Sequence, residues 1–186
     1  MSQKNELRSL YRAKRSEYLA SMNPAIANLS FSALPSNFLA IVEKSRCLAA
    51  YIPIGSEANP MKLAEKAREL GLQICLPYVE SKISPMRFIA WEASDPLIDG
   101  PMGLKQPSPD GANCKPDLIL APLLAFDRSM TRLGQGAGHY DRALSLLGHS
   151  IIIGIAWSVQ EAEQLPSDPW DQKVDAILTE KEWITA

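Results

Sequence analysis

The N-terminal quarter of the chain places apolar positions with the period of an α-helix. Apolar residues recur at spacings of three and four through residues 3–22, which predicts one amphipathic helix with basic residues on its other side. A second helical stretch is predicted from Asn23 and Pro24, an N-cap followed by proline at the first helical position. Pro35 is expected to interrupt this stretch, which then resumes through Lys44.

From position 47 the pattern changes to short apolar runs separated by helical segments. Such runs suit strands buried on both faces, which is typical of a mostly parallel sheet covered by helices. Residues 60–70 and 140–147 are predicted as crossover helices. The predicted strands are residues 47–52, 72–76, 118–124, 151–157 and 174–179. The apolar run of the third strand continues to residue 126.

Two segments are less regular. Residues 86–91 are expected to pair antiparallel with the preceding strand after a turn at residues 80–82. Residues 92–116 hold five prolines and three glycines, so they are predicted to form one long loop, a kind of segment that is often functional. Together the elements predict one domain over residues 1–186, of class α/β, with three layers and a mostly parallel open sheet flanked by helices.

Composition narrows the class of protein. The 46% hydrophobic and 22% charged content is ordinary for a soluble α/β protein and excludes a disordered or fibrous chain. The net charge of -2 gives no reason to expect nucleic acid or a membrane as a partner. Residues 1–22 are the exception, because their basic residues outnumber their acidic ones and could attract an anion.

The cysteines and the apolar runs bear on the location of the protein. Cys47, Cys75 and Cys114 are far apart, odd in number and without C-x-x-C spacing, so neither a disulfide framework nor a zinc site is predicted. The longest apolar stretch, residues 118–126, is far shorter than the roughly 18 to 20 residues that span a bilayer. The expected location is cytoplasmic.

The segment from Arg132 to Asp141 carries the candidate chemistry. Gly134, Gly136 and Gly138 alternate with other residues between a predicted strand and a predicted helix. Such a turn leaves backbone N–H groups uncovered at a helix N-terminus, which suits a phosphate, and Arg132 can add a bidentate contact. A turn that merely permits close approach of strand and helix has the same pattern. The spacing matches neither a P-loop nor a dinucleotide-binding fingerprint.

The full motif is more specific than its glycines. It reads Ala125-Phe126-Asp127, then after four residues Arg132-Leu133-Gly134-x-Gly136-x-Gly138-x-Tyr140-Asp141-Arg142. This motif resembles the signature of the 5-formyltetrahydrofolate cyclo-ligase family, also called 5,10-methenyltetrahydrofolate synthetase. Further matches in the family's order are Lys4 and Arg8, Tyr51-Ile52-Pro53, Glu57, Gln106-Pro107 and Val174-Asp175. The resemblance spans almost the whole chain and implies the family's CoA transferase-like α/β fold.

The resemblance implies an ATP- and Mg²⁺-dependent enzyme. The family reaction converts 5-formyltetrahydrofolate to 5,10-methenyltetrahydrofolate and releases ADP and phosphate. The formyl oxygen cannot leave as oxide, so it is first phosphorylated, and N10 then attacks the carbon as phosphate departs. This chemistry needs positioning and charge neutralisation more than an acid or a base. The expected partners are ATP and the folate, with or without a polyglutamate tail, and the expected state is a monomer.

The resemblance also implies roles for particular residues. Arg132 and Tyr140 are expected to act in catalysis, and Asp141 and Asp175 to contact Mg²⁺. The expected ATP-binding residues are Lys4, Arg8, Arg132, Leu133, Gly134, Gln135, Gly136, Ala137, Gly138, His139 and Tyr140. The expected folate-binding residues are Ile52, Glu57, Met102, Gln135, Gly136, Ala137, Gly138 and His139.

Several of these residues also fit a purely structural interpretation. Lys4 and Arg8, with Arg12 on the same stripe, would form a solvated basic helix face in any amphipathic helix. Asp141 would suit the first turn of a helix without any metal. Glu57 would be an ordinary loop carboxylate.

Two departures from the family pattern keep other functions open. Position 139 is His where the family has an aromatic residue, and position 137 is Ala where it has Gly or Lys. A diverged relative would bind nucleotide or folate with another substrate or without turnover. A sugar-phosphate isomerase or acyl-transfer enzyme on a similar sheet is a second alternative. It would need a carboxylate or a base in residues 134–138, which we call the glycine loop. None lies between Gly134 and Gly138.

Overall fold

The computed structural model describes residues 2–81 and 83–186, so Lys82 of the predicted turn lies outside the described residues. The helices are α1 (Gln3–Ser21), α2 (Pro24–Leu29), α3 (Ser36–Val42), α4 (Met61–Glu69) and α5 (His139–Leu147). Asn23 caps α2 as predicted, because its side-chain oxygen accepts a hydrogen bond from the Ala25 N–H. The second helical stretch already ends at Leu29, before Pro35. Phe31 has a left-handed backbone conformation, which cannot continue a right-handed helix.

The strands are short and most belong to one sheet. In chain order they are β1 (Cys47–Ala49), β2 (Gln73–Tyr78), β3 (Arg87–Ala90), β4 (Ile98–Asp99), β5 (Lys105–Gln106), β6 (Asn113–Cys114), β7 (Leu118–Pro122), β8 (Ala125–Phe126), β9 (Arg132–Leu133), β10 (Ile151–Ile155), β11 (Ala176–Leu178) and β12 (Trp183–Ile184). The main sheet has the order β12-β11-β10-β7-β1-β2-β3-β6. Its five middle strands run parallel, whereas β3, β6 and β12 pair antiparallel at the edges.

Helices cover both faces of this sheet. One face, which includes Leu48, Leu120 and Ile153, contacts the apolar sides of α3 and α4. The other, which includes Cys75 and Ile119, contacts α5. Fully burying an aliphatic side chain of this size stabilises the fold by roughly 1.5–3 kcal/mol, so the two apolar layers account for the arrangement. The predicted three-layer α/β class and the antiparallel pairing of residues 86–91 are confirmed.

The apolar run predicted as one strand divides into two. β7 ends at Pro122, and β8 leaves the sheet to pair antiparallel with β9, inside the segment predicted as a loop. The buried amide of Gln160 donates hydrogen bonds of 2.8 and 3.0 Å to the two carbonyl groups at the break, so the backbone stays satisfied there. Asp127 then closes the turn by accepting hydrogen bonds from three backbone N–H groups.

The long segment at residues 92–116 contains more structure than predicted. It holds the β4–β5 hairpin, a turn of 3-10 helix at Pro101–Gly103 and the edge strand β6. The side chain of Gln106 bonds both backbone groups of Val79, each at 3.1 Å, and thereby fastens this segment to the end of β2. The edge strand β12 was not predicted either. In the described part of the chain, no helix combines the length and apolar character needed to cross a membrane.

Candidate active site

A cleft of about 1070 Å³ opens at the carboxyl ends of β1, β2 and β7. Sites for one drug-sized ligand are typically ~300–1,000 Å³, so this cleft lies at the upper limit of that range. Its walls include Asp141 and every residue that the resemblance implicates in ATP or folate binding. The latter are Lys4, Arg8, Ile52, Glu57, Met102, Arg132, Leu133, Gly134, Gln135, Gly136, Ala137, Gly138, His139 and Tyr140.

The glycine loop enters the cleft between β9 and α5. Gly138 is the N-cap of α5 with φ 66°, and Gly136 has φ 104°. Left-handed backbone costs other residues about 1–2 kcal/mol, so these two positions need glycine. Gly136 also lies against α1, since a Cβ there would be 3.3 Å from Cζ of Arg8. The loop therefore brings the N-terminus of α5 to the cleft, where the helix dipole favours an anion.

Basic residues of α1 recur every three or four positions and form another wall of the cleft. They are Lys4, Arg8, Arg12 and Arg15. Nε of Arg8 donates to the Gly134 carbonyl at 3.0 Å, and Nη2 of Arg12 donates to Oε1 of Gln135 at 3.0 Å. This side of α1 is therefore bonded to the glycine loop, and the interpretation as a merely solvated face does not hold.

Lys4 pairs with two carboxylates that the sequence interpretation missed. Its Nζ lies 2.6 Å from Asp168 and 2.5 Å from Asp171, and all three residues line the cleft. Burial opposes the charge of Lys4, but the hydrogen bonds to both carboxylates outweigh burial and raise the pKa of Lys4. In Asp171, burial opposes ionisation, but hydrogen bonds from the Asp168 backbone and from Lys4 lower its pKa. No spacing in the sequence links these residues to Lys4.

Glu57 lies buried in a polar network between α1 and the glycine loop. Its Oε1 accepts a hydrogen bond from Gln135 at 3.0 Å and lies 3.8 Å from Nη1 of Arg15, while Oε2 accepts from the Ile54 N–H at 3.0 Å. Burial lowers the pKa of Arg15, and the charge of Glu57 opposes that effect. Arg15 was not predicted as a site residue, although its helical spacing from Arg8 was the signal that could have identified it.

Three buried side-chain atoms in the cleft have no hydrogen-bond partner within residues 2–81 and 83–186: Nε of Arg132, Nε2 of His139 and the hydroxyl of Tyr140. An unpaired buried polar group costs about 1–3 kcal/mol, which a bound ligand would offset by supplying the partner. Burial raises the pKa of Tyr140, so its hydroxyl is a donor. Burial and the charge of Arg142 lower the pKa of His139, so its ring is neutral near neutral pH.

Of the two predicted metal contacts, Asp141 lines the cleft and Asp175 does not. Asp141 lies in the first turn of α5, and its Oδ1 accepts from Nη2 of Arg132 at 2.5 Å and from the Gln172 N–H at 3.3 Å. Asp175 is not among the residues lining the cleft. Its carboxylate accepts from the Ile152 N–H at 2.8 Å, near the amino end of β10 and away from the carboxyl ends where the cleft opens. The expected metal contact from Asp175 is therefore not supported.

Apolar side chains complete the cleft. Ile52 follows β1, Met102 lies in the 3-10 turn of the long segment, and both line the cleft. A thioether and an aliphatic side chain each offer an apolar surface that suits a flat ring. Trp170, whose side chain is 68% exposed, lines the same cleft and offers an aromatic surface that the sequence interpretation did not consider.

Comparison with known proteins identifies the family. Residues 1–180 match the 5-formyltetrahydrofolate cyclo-ligase family. The 5-formyltetrahydrofolate cyclo-ligase of Mycoplasma genitalium is 31% identical over 180 residues, which cover 96% of this chain and 98% of the relative. The 5-formyltetrahydrofolate cyclo-ligase of Mycolicibacterium smegmatis is 32% identical over 149 residues, which cover 76% of this chain and 77% of the relative. The NMR structure of Aquifex aeolicus 5,10-methenyltetrahydrofolate synthetase superposes with a TM-score of 0.78 at 30% identity, covering 99% of this chain and 93% of that one. This chain belongs to the 5-formyltetrahydrofolate cyclo-ligase family.

Proposed function

We propose that this protein converts 5-formyltetrahydrofolate to 5,10-methenyltetrahydrofolate, with hydrolysis of ATP to ADP and phosphate. One observation carries the proposal: a single cleft contains both the glycine loop with Arg132 and the buried carboxylate of Glu57. The glycine loop and Arg132 suit a polyphosphate, and the carboxylate of Glu57 suits the N–H groups of a pterin. The proposal includes a monomeric, cytoplasmic enzyme that accepts the folate with or without a polyglutamate tail.

The phosphates of ATP are proposed to lie between the glycine loop and α1. Three features support this placement: the N-terminus of α5, the cations Lys4 and Arg8, and the Nε of Arg132, which has no hydrogen-bond partner in the described part of the chain. Phosphoryl transfer spreads charge over the equatorial phosphate oxygens, so a fixed guanidinium stabilises the transition state more than the ground state. The contact with Asp141 holds Arg132 in one orientation for this task.

The folate is proposed to lie beside Glu57. Its carboxylate is kept in place by Gln135, Arg15 and the Ile54 N–H, so it presents a defined acceptor to the pterin. The Tyr140 hydroxyl is buried and has no partner within residues 2–81 and 83–186, so it is free to donate a hydrogen bond to the former formyl oxygen when that oxygen leaves on phosphate. N10 then bonds to the formyl carbon and releases its proton to solvent, and the C–O bond breaks as the N5 lone pair expels phosphate with the former formyl oxygen.

The cleft also fits a Mg²⁺ ion that is bound mainly through ATP. Mg²⁺ usually keeps several waters and takes one or two carboxylates besides the phosphates of the nucleotide. Asp141 supplies one such carboxylate beside the glycine loop. Within residues 2–81 and 83–186, no three acidic or histidine side chains of the cleft approach one another closely enough to form a complete protein cage. The ion would neutralise phosphate charge, and Asp141 would hold it.

The test measures formation of the methenyl product by its absorbance, with protein, 5-formyltetrahydrofolate, ATP and Mg²⁺. We expect one ADP per product, and a fall in kcat of roughly 10²-fold in Asp141→Asn because Arg132 and the metal lose a charged partner. Asp175→Asn is the matched control and should retain wild-type kcat, because Asp175 lies outside the cleft.

The same assay separates the alternatives. Heat of folate or nucleotide binding without any product would support the diverged relative. Product formation, or any other turnover, that does not require ATP would support an isomerase or acyl-transfer enzyme instead. Either result would overturn the proposed function.

A further inference from the structure

All three cysteines of the chain come together outside the active-site cleft. Cys47 is the first residue of β1, Cys75 lies in β2, and Cys114 ends β6. Their Sγ atoms all lie within 4.8 Å of one another, and those of Cys47 and Cys75 are 3.8 Å apart. The three residues are far apart in sequence, so the spacing concealed this group, which we call the three-cysteine cluster.

The three-cysteine cluster lies in the apolar layer between the sheet and α5. Cys75 is fully buried, Cys47 is 8% exposed, and Cys114 is half-buried. Ala143 and Leu144 of α5 belong to the same apolar layer. Cys47 marks the amino end of β1, whereas the cleft opens at the carboxyl ends, so the cluster is a separate site that solvent reaches through Cys114.

The cluster does not have the geometry of a disulfide. A disulfide needs the two sulfur atoms at about 2.05 Å, and the 3.8 Å between Cys47 and Cys75 is far longer. All three thiols are free. A lone buried cysteine behaves as a small apolar residue, but here three polarisable sulfur atoms share one small volume. Groups of neighbouring cysteine sulfur atoms are also the ligands that soft metal ions prefer.

The 3.8 Å between the Sγ atoms of Cys47 and Cys75 fits two sulfur atoms bound to one ion, and the Sγ atom of Cys114 lies within 4.8 Å of both. With metal–sulfur bonds of about 2.3 Å, trigonal or tetrahedral coordination places the sulfur atoms roughly 3.8–4.0 Å apart. We propose that the three-cysteine cluster binds one soft metal ion of the Cu⁺ type through Cys47, Cys75 and Cys114. In the described part of the chain, no histidine or carboxylate joins the three thiols at ligand distance. Structural Zn²⁺ sites have four protein ligands, whereas soft, low-coordinate Cu⁺ suits three thiolates.

Binding exchanges protons for metal without any change in oxidation state. Each new Cu–S bond replaces an S–H bond, the proton passes to solvent, and copper remains Cu⁺. Affinity should therefore rise with pH while protons are being released.

The experiment titrates the reduced, full-length protein with Cu⁺ under anaerobic conditions, against a chromophoric Cu⁺ chelator. We expect the wild-type chain to take one Cu⁺ and to show three sulfur neighbours by X-ray absorption. Cys114→Ser and Cys47→Ala should each weaken binding by more than about 100-fold, since even losing an outer partner of a metal site costs ~10–100-fold. Met86→Leu, which removes a buried thioether from the same apolar layer, is the control and should bind as the wild type does.

Circular dichroism checks that each variant is folded, and the half-buried Cys114 is the substitution least able to disturb the core. The proposal is overturned if the wild-type chain fails to compete with the chelator, or if Cys114→Ser keeps wild-type affinity. It is equally overturned if fewer than three free thiols are recovered after removal of the copper and unfolding, because the sulfur atoms would then have been oxidised rather than metallated.

Discussion

Arg132 shows how one residue can be both fixed and available. Its side chain is 3% exposed, Nη2 bonds Asp141 at 2.5 Å, and Nε has no partner among the described residues. Lysine would keep the charge but lose the planar set of N–H donors. We expect Arg132→Lys to lower kcat by roughly 10²-fold, the usual cost of one transition-state donor, with little change in KM for the folate. Steady-state kinetics with each substrate varied will measure this.

Arg128→Lys is the matched control for that substitution. Arg128 lies on the exposed turn between β8 and β9, where it pairs with Glu161 and Glu182. It does not line the cleft, so kcat should stay at the wild-type value. If Arg132→Lys turned over as fast as Arg128→Lys, Arg132 would have no part in the chemistry.

His139 gives the folded protein a pH dependence that can be measured. Burial and Arg142 lower its pKa below the value of about 6.5 that it has in an unfolded chain. As pH falls through 6.5 the unfolded chain takes up the proton first, so the free energy of unfolding falls until the pH is below the folded pKa. In His139→Phe this loss should be absent. Urea denaturation over the acidic range will compare the free energy of unfolding of the wild-type protein with that of the variant.

At the scale of elements, the glycine loop offers a matched pair of substitutions. Gly136 has φ 104° and leaves a new Cβ 3.3 Å from Arg8, whereas at Gly134 the nearest side-chain atom would be at an ordinary 3.5 Å. Gly136→Ala should lower the free energy of unfolding by about 1–2 kcal/mol, the cost of left-handed backbone. Gly134→Ala should be neutral or slightly stabilising, because it restricts only the unfolded chain. Denaturant titration of both variants will measure these changes in the free energy of unfolding. Equal changes in Gly136→Ala and Gly134→Ala would contradict the loop geometry.

The elements that the sequence predicted well are those with a strong local period. Residues 3–22, 60–70 and 140–147 carry helical spacing, and the structure has α1, α4 and α5 at these places. The break after Pro122 was missed because residues 118–126 are apolar throughout. The bend depends on the side chain of Gln160, which lies far along the chain, so no local pattern could reveal it.

The site shows the same division between local and long-range signals. The glycine loop was predicted because all of its residues are consecutive, and the structure places them in one cleft. Asp168 and Asp171 were missed because only the fold brings them to Lys4. The resemblance suggested Asp175 as a metal contact, but the structure uses its carboxylate to bond the Ile152 N–H.

At the scale of the whole molecule, the cleft joins distant parts of the chain. Helix α1 forms one wall, the glycine loop a second, and residues 168–172 a third. Lys4 already links the first wall to the third through Asp168 and Asp171. An anion bound between these walls would compete with both carboxylates for Lys4, which leaves less of the Lys4 charge to offset the charge of the proposed nucleotide. If ATP binds as proposed, we therefore expect Mg²⁺ to strengthen its binding.

Thermal unfolding can test that dependence directly. A ligand at about 100 times its Kd stabilises the folded state by ~2.7 kcal/mol, which for a chain of this size raises Tm by roughly 5–10 °C. We expect ATP with Mg²⁺ to give a shift of this size, and ATP with a chelator to give a much smaller one, because Asp141, Asp168 and Asp171 then repel the uncompensated phosphates. AMP with Mg²⁺ is the control and should give little shift, since it has no β- or γ-phosphate to occupy the glycine loop. A shift with AMP as large as that with ATP would show that the cleft binds the nucleoside alone and would remove the role assigned to the loop.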